Sequence, residues 1–141
     1  MRDKALKLLG LMRVAGAIEI GADRAAEATA AGKTRLLLLA SDAGENVLRK
    51  AEHALAGKRA IRLELPFTRE ELAGALGIGD CTMAAVTDMG FAETLLGQLA
   101  VLEAEKYAAP AAAIAARHEK MRRRKAEKGH EKTNGKRRTK R

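Results

Sequence analysis

Aromatic side chains are nearly absent from this chain: no tryptophan, one tyrosine and two phenylalanines in 141 residues. With 47% hydrophobic residues but only 2% aromatic, any core must be filled by aliphatic and alanine packing. Cys81 is the single cysteine, which excludes an internal disulfide framework and fits a reducing compartment. No apolar stretch approaches the length that a membrane-spanning helix needs. Met1-Arg2-Asp3-Lys4 opens an amphipathic segment and not a signal-peptide core. The expectation is a soluble cytoplasmic protein with no membrane partner.

Catalytic patterns are missing too. His53, His118 and His130 are scattered without metal-ligand spacing. Cys81 has no histidine or acid at triad-like proximity and reads as an ordinary free thiol in a loop. There is no glycine-elbow serine and no paired-carboxylate arrangement. Gly32-Lys33-Thr34 resembles the end of a phosphate-binding loop, but that motif needs glycine at 27, where this chain has Glu27. It also needs a strand before and a helix after, and here the order is reversed. These features predict a protein that is not an enzyme and carries no metal or cofactor.

What is present is a regular alternation of helices and strands. Ala5, Leu8, Leu9 and Met12 recur at helical spacing, predicting a helix over 4–15 that stops near Gly16. Ala17 to Ile20 reads as a short strand. Ala22, Ala25, Ala26 and Thr29 give the small-residue face of a second helix that Gly32 ends. Leu36 to Ala40 is apolar on both faces, as expected of a central strand covered on both sides. Asp42 and Glu45 have capping-box spacing for a helix over 43–56, with Val47, Ala51, Ala54 and Leu55 inward. Ile61, Leu63 and Leu65 alternate with Arg62 and Glu64 as in a half-exposed strand. Thr68 and Glu71 form a second capping box, flanked by Phe67 and Leu72 as a hydrophobic staple. Met83 to Val86 reads as the last strand, and Asp88 caps a helix burying Ala92, Leu95, Leu96 and Leu99. The fold class is α/β, an α-β-α sandwich.

The formal charge of +9 is unevenly placed. From Arg117 to Arg141 there are 13 Lys and Arg against three Glu, whereas residues 1–116 hold 14 against 15 acids. The basicity thus sits in a C-terminal segment, residues 101–141, appended to a domain of residues 1–100. In that segment Pro110 is expected to interrupt a helix that restarts to about residue 128. From Gly129 the chain has little to bury and is expected to be disordered without a partner. The runs Arg122, Arg123, Arg124, Lys125 and 136–141 are denser than solubility requires and suit phosphates through counterion release. With no aromatic in the segment beyond Tyr107, base stacking is not their mode, so they supply affinity and not sequence choice.

The stretch Ile20 to Asn46 carries most of the functional signal. Gly21 precedes a helix whose first turn holds Ala22, Asp23 and Arg24, and a helix start is where backbone amides meet phosphates. The Asp23 carboxylate can accept from guanine or cytosine amino groups, and Arg24 can meet a phosphate or guanine. Equally, Asp23 can serve as a helix cap.

The segments L-G-L-M-R-V-A-G near 9–16, the Gly21 helix, K-T-R-L-L-L-L-A-S-D-A-G-E-N at 33–46 and A-A-V-T-D-M-G-F-A at 84–92 resemble a ribosomal-protein superfamily. It is the large-subunit family that binds kink-turn RNA, and the resemblance is closest to its bacterial YlxQ-like branch. It spans roughly residues 4–100, and the order and spacing of the segments carry it. It implies a three-layer sandwich with a small mixed sheet and RNA bound at one edge, by a monomer associated with the ribosome and translation. Carried over, that edge comprises Gly21, Ala22, Asp23, Arg24 and Glu27, with Lys33, and the loop Ile78-Gly79-Asp80-Cys81-Thr82. Binders in the family have an amide or base where Asp23 stands, an acid or amide where Arg24 stands, and lysine where Glu27 stands. This chain keeps the glycine, exchanges acid for base at 23 and 24, and reverses the charge at 27, where a carboxylate repels phosphate. The competing expectation is a protein-interaction adaptor whose basic segment docks on polyanions without selectivity.

Overall fold

The computed structural model describes residues 2–139, with side chains described from Arg2 through Glu127. The run at 136–141, read from the sequence as phosphate-binding, lies outside the described side chains. The elements in order are α1 (Arg2–Ala15), β1 (Ile18–Ile20), α2 (Ala22–Ala30), β2 (Leu36–Leu39), α3 (Glu45–Leu55) and β3 (Ile61–Glu64). They continue with α4 (Arg69–Leu76), β4 (Met83–Val86), α5 (Met89–Leu102) and α6 (Ala104–Thr139).

All four leucines of β2 are fully buried, which follows from a strand with helices on both sheet faces. β2 pairs parallel with β3 and antiparallel with β4, and β4 pairs antiparallel with β1, so the sheet is mixed with order β1-β4-β2-β3. Side-chain alternation along the strands separates two cores. Leu36, Leu38, Ala84 and Val86 face a cluster containing Leu9 and Met12 of α1, Leu72 and Leu76 of α4, and Leu95 and Leu99 of α5. Leu37, Leu39, Met83 and Ala85 face Ala25 and Ala28 of α2 and Ala51 of α3. The result is the expected three-layer α-β-α sandwich. The α2–α3 layer is built from alanines, which lets those helices lie close to the sheet.

Local signals in the sequence determine most boundaries. After α2, Gly32 takes φ 78°, and the amides of Gly32 and Lys33 return to the carbonyls of Thr29 and Ala28. This is a left-handed helix stop that a side chain would strain. Thr68 and Glu71 form the reciprocal capping box of α4, and the Asp88 carboxylate accepts from the Phe91 amide at 2.8 Å to cap α5. The capping box expected at Asp42 and Glu45 does not form. Gly44 is the N-cap of α3 and supplies no side chain. The Asp42 carboxylate instead accepts from the Arg69 amide at 2.8 Å, because the chain ends of β2 and β3 lie side by side.

The C-terminal segment departs most from expectation. Pro110 does not interrupt the helix; the break falls at Glu103, whose carbonyl accepts from the Lys106 and Tyr107 amides as α6 begins. Proline in a helix removes one hydrogen bond, and here it lies between two anchors, Tyr107 and Ile114, both fully buried against α5 and the sheet. The spacing of these sparse apolar residues among alanines gives α6 a core-facing stripe, so the folded unit extends beyond residue 100. The α6 backbone is helical to Thr139, past Gly129.

Tyr107 donates its hydroxyl to the Glu64 carbonyl at 2.6 Å. Burial, with Glu103 and Glu64 adding repulsion, pushes its pKa up to about 12. The neutral phenol is therefore favoured by folding: its contribution is complete below pH 10 and is lost as pH rises toward 12. Tyr107→Phe should cost about 1 kcal/mol at neutral pH. Denaturant melts should show the wild-type advantage over Tyr107→Phe shrinking between pH 10 and 12.

Candidate nucleic-acid interface

The sheet topology gathers functional residues at one end. β1, β2 and β3 end where β4 begins, so the starts of α2, α3 and α4 and the loop leading into β4 share that end. Gly21 is pinned there: its amide donates to the Met83 carbonyl at 3.0 Å, just past the 78–82 loop. Its φ of 103° and ψ of 153° belong to a region that only glycine enters without strain. Gly21 thus brings the start of α2 against the 78–82 loop, joining two segments far apart in sequence.

Two of the three gathered helix starts have no side-chain cap, because Gly21 and Gly44 occupy the cap positions. Their first-turn amides have no acceptor within the helix, leaving donors and a partial positive charge for an external anion. The start of α4, closed by Thr68 and Glu71, offers less.

The charges at this end are largely matched. Asp23 does not cap α2; its exposed carboxylate pairs with Lys50 of α3, and that hydrogen bond and charge hold its pKa below the ordinary range. Asp80 pairs with Arg69 of α4, through Nε at 2.8 Å and a second guanidinium nitrogen. This lowers the carboxyl's pKa and raises that of the guanidinium. Lys50 and Arg69 are site residues that the sequence reading missed. Arg69 opens α4, whereas Lys50 lies in the second turn of α3 and reaches Asp23 only because α2 and α3 pack side by side.

The other expected residues divide. Ala22 and Thr82 are half-buried, while Arg24, Glu27 and Gly79 are exposed; all but Glu27 flank the Gly21 junction. Ile78 packs partly against the main core. Cys81 is buried, its thiol 3.6 Å from the Met83 carbonyl, and burial raises its pKa; it helps shape the loop and presents no side chain to a ligand. Lys33 follows the far end of α2, in an open groove with Glu19, Arg24, Glu27, Arg35 and Thr87. Thr34, beside it, is buried with its hydroxyl 2.9 Å from that of Thr29, and helix precedes strand at this turn, as expected. Arg122 to Lys125 lie on α6 away from the Gly21 junction. Arg122 contacts Glu93 at 3.5 Å and Arg123 contacts Glu119 at 3.4 Å. Among the described residues, no group of His, Cys, Asp or Glu is arranged to hold a metal ion, and no helix is long and apolar enough to cross a membrane.

No protein-family model matches the chain, and no curated protein does. Solved structures match its shape. A protein of unknown function from Bacillus halodurans C is 28% identical with a TM-score of 0.61, over 67% of this chain and 94% of that one. The Giardia lamblia 15.5kD RNA binding protein is 19% identical with a TM-score of 0.57, over 69% of this chain and 85% of that one. At that identity the second likeness shows a common fold.

Removing Lys50 should release Asp23. In Lys50→Ala the Asp23 carboxyl pKa should rise toward the ordinary value, read by carbon-detected NMR titration. An unmoved Asp23 would mean that the pair does not persist in solution. Gly21→Ala should destabilise the protein by about 1–3 kcal/mol through backbone strain, measured by chemical denaturation.

Proposed function

We propose that this protein is a non-catalytic RNA-binding protein that receives structured RNA at the end of the sheet where α2, α3 and α4 begin. The observation that carries the reading is the Gly21 junction: uncapped helix starts held against the 78–82 loop, with Arg24, Lys50 and Arg69 exposed around it. A shared fold with a Giardia protein named for RNA binding supports it, as does the resemblance to the kink-turn family. Amides and helix starts bind phosphates without an enclosing pocket, and hydrogen-bonding side chains then read base edges.

The finer reading is recognition of kink-turn-like RNA, in association with the ribosome and in the manner of the YlxQ-like branch, by a protein that is monomeric when free. Asp23 and Asp80 fit it better than their charges suggest, because Lys50 and Arg69 offset the repulsion they would exert on a phosphate. Glu27 has no such described partner and remains the feature least suited to a backbone contact.

The test is binding of the full chain to a kink-turn RNA and to the same RNA with its tandem G·A pairs replaced. Kink-turn recognition predicts weaker binding to the altered RNA. Equal affinities would reject it while leaving general RNA binding standing. Glu27→Lys should tighten kink-turn binding by about two- to fivefold, the scale of one exposed charge contact; no change would place the RNA elsewhere. A chain that binds neither RNA but retains a protein ligand would support the adaptor reading.

A further inference from the structure

At the opposite end of the sheet, α6 crosses the lead-in to β2 and the loop before β3, enclosing a cleft of about 140 Å³. Five cationic side chains line it: Arg35, Arg59, Arg117, Lys120 and Arg124. Among the described residues, no carboxylate lines it and none of the five cations makes an ion pair with a carboxylate. The arrangement is anchored. The Arg35 amide donates to the Val86 carbonyl at 2.7 Å, and the Arg117 guanidinium donates to the Arg59 carbonyl at 2.7 Å. Met89 and Ile114 contribute buried apolar floor, where charge interactions are screened less than in water.

Two further observations point to an anionic occupant. The Arg35 Nε is buried and has no hydrogen-bond partner among the described residues, a costly state for a charged donor unless an acceptor arrives. Also, Arg117, Lys120 and Arg124 follow one another at i, i+3 and i+7 along α6 and so share one side of it, flanking the face that holds Tyr107 and Ile114 on the core. The neighbouring cations, Arg122 and Arg123, have carboxylate partners. The helix thus separates neutralised cations from cations grouped around a cleft.

We propose that this cleft is a second phosphate site, taking phosphodiester groups of the RNA whose structured part lies at the Gly21 end. It rests on the RNA-binding reading above. Arg35 links the two regions, since it also lines the groove containing Lys33 and Arg24 on the outer side of α2. The nine residues of α2 span about 14 Å, so one RNA can reach both ends. Guanidinium groups hold phosphate oxygens in bidentate fashion, and this site adds affinity without reading bases.

The experiment compares two double variants of equal charge, Lys120→Gln/Arg124→Gln in the cleft and Arg122→Gln/Arg123→Gln beside it, in the full chain. All four positions are exposed. RNA affinity is measured against salt concentration. The cleft variant should lower the salt slope by about 1.4–1.8, from about 0.7–0.9 per lost phosphate contact, and the control should lower it markedly less. Equal slopes for the two would overturn the proposal. If the wild type binds no RNA, the functional reading fails, and tripolyphosphate decides the cleft by itself. Joint shifts of the Arg35 and Arg117 Nε–Hε signals, abolished in the cleft variant but retained in the control, would support a phosphate site; no shifts would overturn it.

Discussion

Leu36 to Leu39 cannot face water on either side, and that constraint organises the molecule. Burying both faces of β2 requires helices above and below it, and neighbours on both edges to satisfy its backbone. The parallel pairing with β3 sends the chain back through α3 to the same starting end, and the antiparallel pairing with β4 reverses the direction. Strand ends, helix starts and the 78–82 loop therefore accumulate at one end of the sheet. The other end receives the lead-in to β2, the loop before β3 and the crossing of α6.

These two ends differ in electrostatic character. Around Gly21 the carboxylates of Asp23 and Asp80 are matched by Lys50 and Arg69, so the free donors are backbone amides of the uncapped helices. Such donors have fixed directions and suit recognition of shape. At the far end cations outnumber carboxylates within one small cleft, a composition suited to charge neutralisation. The near-zero balance of residues 1–116 conceals this division, because the cleft joins Arg35 and Arg59 of the sandwich to three cations of α6.

Local chemistry made much of the fold legible in advance. The Thr68–Glu71 capping box, the Asp88 cap and the Gly32 stop each act through neighbours within a few residues, and the all-leucine strand shows in its composition. Asp42 was misread because its partner, the Arg69 amide, is 27 residues away and becomes a neighbour only through strand pairing. Pro110 was misread because its local cost is outweighed by the burial of Tyr107 and Ile114, a tertiary effect. At the candidate site, the glycine and the loop were visible as motifs, whereas Lys50 and Arg69 emerge from the meeting of three helices. Arg122 to Lys125 read as one basic run, and only the rotation of α6 about its axis divides them by partner and by face.

On the proposed reading, a single RNA engages both ends of the sheet. Ultraviolet crosslinking of the full chain to bound RNA, with the crosslinked peptides identified by mass spectrometry, addresses it directly. Crosslinks in both 21–27 or 78–82 and 117–124, on the same RNA, are the predicted result. Crosslinks confined to 117–141, with none at the Gly21 end, would contradict it and reduce the interaction to docking by a basic helix.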